Sequence, residues 1–187
     1  KSWDDNDNQD GIRPDSITID LYADGVLVPN KTVTIKNSDN WNYTYTDLDK
    51  YSNGKEIIYT VREHEVKDYT TNYEKTDNGI NVINTHSPSE IEISGTKTWD
   101  DSNNNDGIRP DSITVRLSGK VGEDEVVSRV ATVTEEDNWN YSFTKLPEYS
   151  NGSLISYTIS EDAVIGYNTS IDGYDIIVII GTSDIKN

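Results

Sequence analysis

The chain has no cysteine and no methionine, and only two histidines and five prolines in 187 residues. Without cysteine there are no disulfides, no thiolate nucleophile and no cysteine-based zinc or iron–sulfur site. His64 and His86 alone cannot build a multi-histidine metal centre. No run of about 20 apolar residues exists, so no membrane span is expected. No apolar N-terminal segment is present, which places any signal peptide outside this chain. Basic residues are scarce: 16 Lys plus Arg stand against 34 Asp plus Glu, a formal charge of −18. That balance argues against nucleic acid, whose phosphates demand Lys and Arg.

Low hydrophobicity with high net charge can signal disorder. Here 12 Tyr and 4 Trp argue for a folded chain, because disordered segments are poor in aromatics. The chain also repeats itself. Asp10-Gly-Ile-Arg-Pro-Asp-Ser-Ile-Thr18 recurs unchanged as Asp106 to Thr114, an offset of 96. Lys1, Trp3, Asp4 and Asp5 recur as Lys97, Trp99, Asp100 and Asp101. Farther on the offset is 98: Asn40–Tyr43 matches Asn138–Tyr141, and Tyr51–Gly54 matches Tyr149–Gly152. The second copy has therefore gained two residues, expected in a hairpin near 118–127. Two domains of about 90 residues follow, 1–88 and 89–187, with Ser87-Pro88-Ser89 as a short linker.

The patterning is β throughout. Ile17, Ile19 and Leu21 alternate with polar residues, as do Trp41, Tyr43 and Tyr45, and again Ile113, Val115 and Leu117, and Trp139, Tyr141 and Phe143. A period of two with one apolar face marks half-buried antiparallel strands. Asn53-Gly54 and Asn151-Gly152 are turn signals between strands. About seven short strands per copy suggests an immunoglobulin-sized β-sandwich.

Some polar residues fall on apolar faces. Lys97 shares a face with Ile93 and Trp99; Glu161 shares one with Ile155, Tyr157 and Ile159. In the first copy Glu63 joins Ile57, Tyr59 and Val61, and Asn84 joins Ile80 and Val82. At the end of the second copy Ile185 and Asn187 share a face. A buried unpaired charge costs several kcal/mol, so two such groups in each copy need a reason. A simple Lys–Glu ion pair is one, and snorkelling at a strand end another. A third is chemical. Burial lowers a Lys pKa and raises that of Glu, giving a neutral amine beside an Asn carboxamide, with an acid to carry the proton. The product is a Lys–Asn isopeptide bond, formed once, without turnover.

The Lys-x-Trp-Asp-Asp start, Asp-Gly-x-Arg-Pro, the Asn-Trp strand, Tyr-Thr-[Val/Ile]-x-Glu and Asn81-Val-Ile-Asn-Thr85 together resemble the Cna protein B-type (CnaB) repeats of Gram-positive collagen adhesins, twice over. The resemblance implies all-β, tandem inverse immunoglobulin-like sandwiches that act as stalks. It also implies an isopeptide bond between the first and last strands, with an acidic residue catalysing its formation. By position, Lys1 would join Asn84 with Glu63 as the acid. Lys97 would pair with Glu161, and Asp184–Asn187 matches Asn81–Asn84 in type, making Asn187 the acceptor. That match requires five extra residues around Asp175–Ser183; without them Val178 or Gly181 takes the position, and neither can react.

The expected function is a spacer of a secreted, cell-wall-anchored adhesin. Its partners would be neighbouring repeats, an adhesive region of the same polypeptide, and the cell wall through a sorting signal outside this chain. No enzyme with turnover, no cofactor and no metal is expected. Alternatives are a module binding a host matrix protein and a calcium-rigidified repeat. For calcium, Asn6, Asn8 and Asp10, and likewise Ser102, Asn104 and Asp106, imitate an EF-hand loop. Ile17 and Ile113 stand where its bidentate Glu belongs, so a solvated acidic loop is the favoured reading.

Overall fold

The computed structural model describes residues 1–181. Contacts divide the chain into two compact units, Lys1–Pro88 and Ser89–Asn187; Asn187 itself lies outside the described residues. Unit 1 contains β1 (Ser2–Asp4), β2 (Ser16–Ala23), β3 (Val26–Leu27), β4 (Val33–Lys36), β5 (Tyr51–Ser52), β6 (Lys55–Glu56), β7 (Tyr59–Glu63), β8 (Thr70–Thr76) and β9 (Gly79–Thr85). Unit 2 contains β10 (Glu90–Asp100), β11 (Ser112–Val121), β12 (Asp124–Thr134), β13 (Asn140–Pro147), β14 (Tyr149–Ser150), β15 (Ser153–Leu154), β16 (Ser156–Glu161), β17 (Tyr167–Asp172) and β18 (Asp175–Ile180).

Each unit is an inverse immunoglobulin-like sandwich. In unit 2 one sheet runs β13-β10-β18-β17 and the other β12-β11-β16. The first strand, β10, lies parallel to the last, β18. Unit 1 repeats this with β1-β9-β8 and with β2 flanked by β3, β4 and β7; β1 is parallel to β9. The alternation in β11 puts Ile113, Val115 and Leu117 into the core with Val133, Ile159, Ile176 and Val178. The hairpin reading holds: Ser16 pairs with Lys36, 20 residues on, and Ser112 with Thr134, 22 residues on. Asn53-Gly54 and Asn151-Gly152 both adopt positive φ and close the β5–β6 and β14–β15 hairpins.

The strand expected over Trp41–Thr46 does not form. Its counterpart β13 pairs with the first half of β10, Ile93 against Phe143 and Gly95 against Tyr141. Among the described residues no strand pairs with Trp41–Thr46 in unit 1. Tyr43 is 54% exposed, and a cleft of about 350 Å³ opens between this segment and Ile19, Val61 and Val82. Trp41 still reaches the core, but from a left-handed residue (φ 56°), as does Trp139 (φ 59°).

The acidic loops are not simply solvated. Asp5 and Asp101 are each only 2% exposed. Arg109 donates to both Asp101 oxygens (Nε 3.0 Å, Nη2 2.6 Å), joined by the Asn104 backbone N–H at 3.0 Å and the Tyr167 hydroxyl at 3.0 Å. Asp5 receives the same four bonds from Arg13, Asn8 and Tyr69. The residues just after each Asp, Asn6-Asp7-Asn8 and Ser102-Asn103-Asn104, all have positive φ. Asn and Asp tolerate this region better than other non-glycine residues, which accounts for much of the loop composition. The EF-hand-like side chains are turned to other work: Asn8 accepts from the Arg13 N–H, Asn104 from the Arg109 N–H, and Asp10 bonds His86.

Two predictions follow from these ion pairs. The Arg109 guanidinium holds the Asp101 carboxyl below its ordinary 3.8. A depressed acid contributes stability above its unfolded pKa and loses it as pH falls toward the folded value. Asp101→Asn should therefore cost about 3 kcal/mol at neutral pH, and the deficit should shrink below about pH 4 when melting is followed by calorimetry. His86 works in the opposite sense. Its Nε2 lies 2.9 Å from Asp10 and its Nδ1 3.0 Å from the Asp68 carbonyl. Two acceptors favour the doubly protonated ring, and the hydrogen bond to Asp10 raises its pKa above 6.5. This contribution is complete below 6.5 and is lost as pH rises through the folded value. His86→Gln should flatten that slope in pH-dependent melting of unit 1.

Candidate functional site

The residues singled out by face parity meet between the two sheets of each unit. Glu63 ends β7 in one sheet, while Lys1 precedes β1 and Asn84 lies in β9 of the other. The Lys1 backbone nitrogen bonds the Trp41 carbonyl (3.0 Å), and Lys97 bonds Trp139 in the same way (2.8 Å). This anchors the start of each inward Lys. The Lys1 Nζ stands 3.4 Å from Glu63 Oε1, with side-chain exposures of 1% and 0%. Thr71 donates to the other Glu63 oxygen at 2.8 Å. Thr71 is also the cross-strand partner of Asn84 in the β8–β9 ladder, and Trp3 is its partner across β1–β9. Asn84 therefore shares a sheet face with Lys1 and Trp3, above the carboxyl that Thr71 orients.

The electrostatics are unusual for so lean a core. Burial pulls the Lys1 amine down to about 8, against the opposing pull of Glu63. The ammonium sits 4.3 Å from the Trp3 ring centroid, a cation–π contact that partly replaces lost hydration. Asn84 is fully buried, yet neither atom of its carboxamide has a hydrogen-bond partner. Lys1 Nζ and Glu63 Oε1 are likewise without one. Buried polar groups are nearly always paired, and each unpaired one costs about 1–3 kcal/mol. An amine whose pKa burial has lowered, a carboxyl and an unbonded carboxamide gathered in a dry space are the groups that one acyl transfer would need.

Unit 2 repeats most of this arrangement. Lys97 donates directly to Glu161 Oε1, with both side chains wholly buried. Thr169 donates to Glu161 Oε2 at 2.7 Å, and Lys97 lies 4.4 Å from the Trp99 centroid. Burial lowers the Lys97 pKa too, against the hydrogen bond it donates to Glu161. The residue at the position of Asn84 differs. Trp99 and Thr169 both pair with Val178, as Trp3 and Thr71 pair with Asn84. Val178 is completely buried. Asn187 lies outside the described residues, and the register position it was expected to fill belongs to Val178. The segment expected to lengthen a hairpin, around Asp175–Ser183, instead contains β18 itself, which pairs with β10.

Thr71 and Thr169 were missed at the sequence level, as were the residues that seat the tryptophans. Trp3 packs edge-on against Trp41 and Tyr69 (5.1 Å each), and Trp99 against Trp139 and Tyr167 (5.0 Å each). Arg13 and Arg109 lie 5.4 and 5.2 Å from the same indoles. Their signal was available: Thr71 and Thr169, and Tyr69 and Tyr167, recur at the offset of 98.

Comparison with known proteins agrees with this fold. The family model of the Cna protein B-type domain matches residues 1–85 and again 93–178. A collagen adhesin of Staphylococcus aureus is 44% identical over 178 residues, covering 94% of this chain; the chain spans 15% of that protein. The crystal structure of two B repeat units (B1B2) of the S. aureus collagen binding protein matches with a TM-score of 0.86 and 41% identity, over 95% of this chain and 47% of that one. No helix among the described residues is long and apolar enough to cross a membrane. The chain belongs to the Cna protein B-type domain family, as two tandem collagen-adhesin-like B repeats.

Proposed function

We propose that the two repeats are a load-bearing spacer of a cell-wall-anchored surface adhesin, and that unit 1 is locked by an amide between Lys1 and Asn84. The observation that carries this reading is the Asn84 carboxamide, fully buried and unbonded on the same face as the Lys1–Glu63 pair. A group left unpaired at such cost is explained if it is a reactant. The neutral Lys1 Nζ attacks the Asn84 Cγ. Glu63 takes the amine proton and passes it to the departing amide nitrogen. One C–N bond forms, one breaks, and ammonia leaves. Contact between the groups supplies the effective molarity that amide chemistry requires.

Such a bond suits a spacer. β1 and β9 are parallel neighbours, so tension on the ends of unit 1 shears their ladder. An amide across them carries the load instead. It also closes a loop of over 80 residues, worth roughly 4–5 kcal/mol if it restrains the unfolded chain as a disulfide would. The adhesive region, the wall anchor, the extracellular location in a Gram-positive bacterium and any host matrix protein belong to the remainder of the polypeptide on this reading.

The denatured chain should weigh less than its sequence by one ammonia, by intact-mass spectrometry, and digestion should yield a branched peptide joining Lys1 to Asn84. A full-mass chain with Lys1 free would reject the proposal. Glu63→Gln should restore the full mass expected for that variant. It should also lower the denaturant-unfolding stability of unit 1 by at least about 4 kcal/mol, the lost loop closure added to the cost of leaving buried Lys1 without its partner.

A further inference from the structure

We infer that covalent locking stops at unit 1, and that Val178 makes unit 2 an extensible domain closed by the Lys97–Glu161 ion pair. The inference rests on the cross-link proposed for unit 1 and concerns what the second unit does without one. Every other part of the site is present in unit 2: the buried Lys, the carboxyl from the opposite sheet, the orienting Thr and the Trp beneath the amine. Among the described residues only the acceptor is missing: Val178 holds the register position of Asn84. β18 reads Asp-Ile-Ile-Val-Ile-Ile and contains no carboxamide. Even a slip of two residues in its pairing with β10 would bring Ile176 or Ile180 to the position, and neither offers a carbonyl to attack.

Hydrogen bonding separates the units in the same direction. In unit 1 the amine, one carboxyl oxygen and both carboxamide atoms are buried without hydrogen-bond partners. In unit 2 the amine bonds the carboxyl directly, the second oxygen accepts from Thr169, and Val178 packs into the apolar core. The first arrangement is relieved by reaction. The second is already satisfied and has no reason to change.

The mechanical consequence is specific. In unit 2 the ladder pairing Lys97–Asp100 with Ile176–Ile179 joins parallel neighbours, and tension on the ends of β10 and β18 shears it. With no bond in parallel, that ladder sets the yield force. Beyond it the unit can pay out a chain of about 90 residues, on the order of 300 Å. Unit 1, closed between Lys1 and Asn84, can release almost none. The chain thus combines an inextensible repeat with one that unfolds under load and refolds when it is removed.

Peptide mapping of the full denatured chain tests this without any variant, because trypsin cuts after Lys97 only if its amine is free. A linear peptide ending at Lys97, alongside the branched Lys1–Asn84 peptide, is the expected result. A branched peptide containing Lys97 would overturn the inference and leave the unit 1 reading intact. Free Lys1 would instead overturn that reading. Val178→Asn supplies the missing acceptor and should remove a second ammonia, an effect that Glu161→Gln in the same chain abolishes. A folded V178N chain in which Lys97 stays free would reject Val178 as the determinant. Pulling single molecules from both ends should give one unfolding step, of unit 2 length, in the wild type and none in cross-linked V178N; two full-length steps in the wild type would contradict the cross-link, and none would contradict the inference.

Discussion

A lysine and a glutamate facing each other across a dry sandwich constrain everything around them. Each charge would cost several kcal/mol if buried alone, so each unit is built to bring them together and surround them. The inverse topology does this. It puts the Lys at the first strand and the Glu at the end of β7 or β16, one in each sheet, so the pair pins the sheets face to face. The parallel pairing of first and last strands then brings residue 84, or 178, onto the same face as the Lys. The remaining core mixes aliphatic side chains with aromatics such as Trp41, Trp139, Tyr141 and Phe143, with no disulfide to assist it.

The aspartate loops serve the same constraint from one step away. Asp5 and Asp101 neutralise an arginine that lies against the indole, and a tyrosine bonded to the same carboxylate packs on that indole. The indole in turn lies beneath the lysine amine. A chain of contacts thus runs from the loop to the lysine amine. The three left-handed residues after each Asp are strained for non-glycine side chains, and the buried carboxylate's four hydrogen bonds hold them there. Both units keep this network in full, whether or not residue 178 or 84 can react, so its first role is to seat the tryptophan and shield the lysine.

Much of this was legible from alternation. Parity alone put Lys97, Glu63, Glu161 and Asn84 inside, because a strand with one apolar face leaves a polar residue on that face no ambiguity. It failed where alternation was absent or irrelevant. β18 is apolar on both faces, so its period carries no register, and matching Asp184–Asn187 to Asn81–Asn84 by type had nothing to check it. Trp41–Thr46 does alternate, but a strand needs a neighbour, and among the described residues none pairs with it. The loop aspartates looked solvated because composition cannot show that Asp5 meets Tyr69, 64 residues away. An exchange of charges shows the other side of this: His64 bonds Asp20 in unit 1, while Asp162 bonds Arg116 in unit 2. A residue-by-residue repeat search discards that match, though the contact survives.

The persistence of the Lys97–Glu161 pair beside a valine has a physical explanation that needs no reactivity. Removing one partner of a buried pair strands the other and costs about 3–5 kcal/mol, whereas replacing both with apolar residues of similar volume can be neutral. Single substitutions at either position therefore pass through a state that has lost a large share of a domain's roughly 5–15 kcal/mol. An acceptor carries no such protection. Asparagine and valine are close in size, and at a fully buried position without hydrogen-bond partners the apolar residue is the more stable of the two until a bond forms. On the proposed cross-link, the acceptor is thus the member most easily lost, while the charged pair stays locked in by its own desolvation.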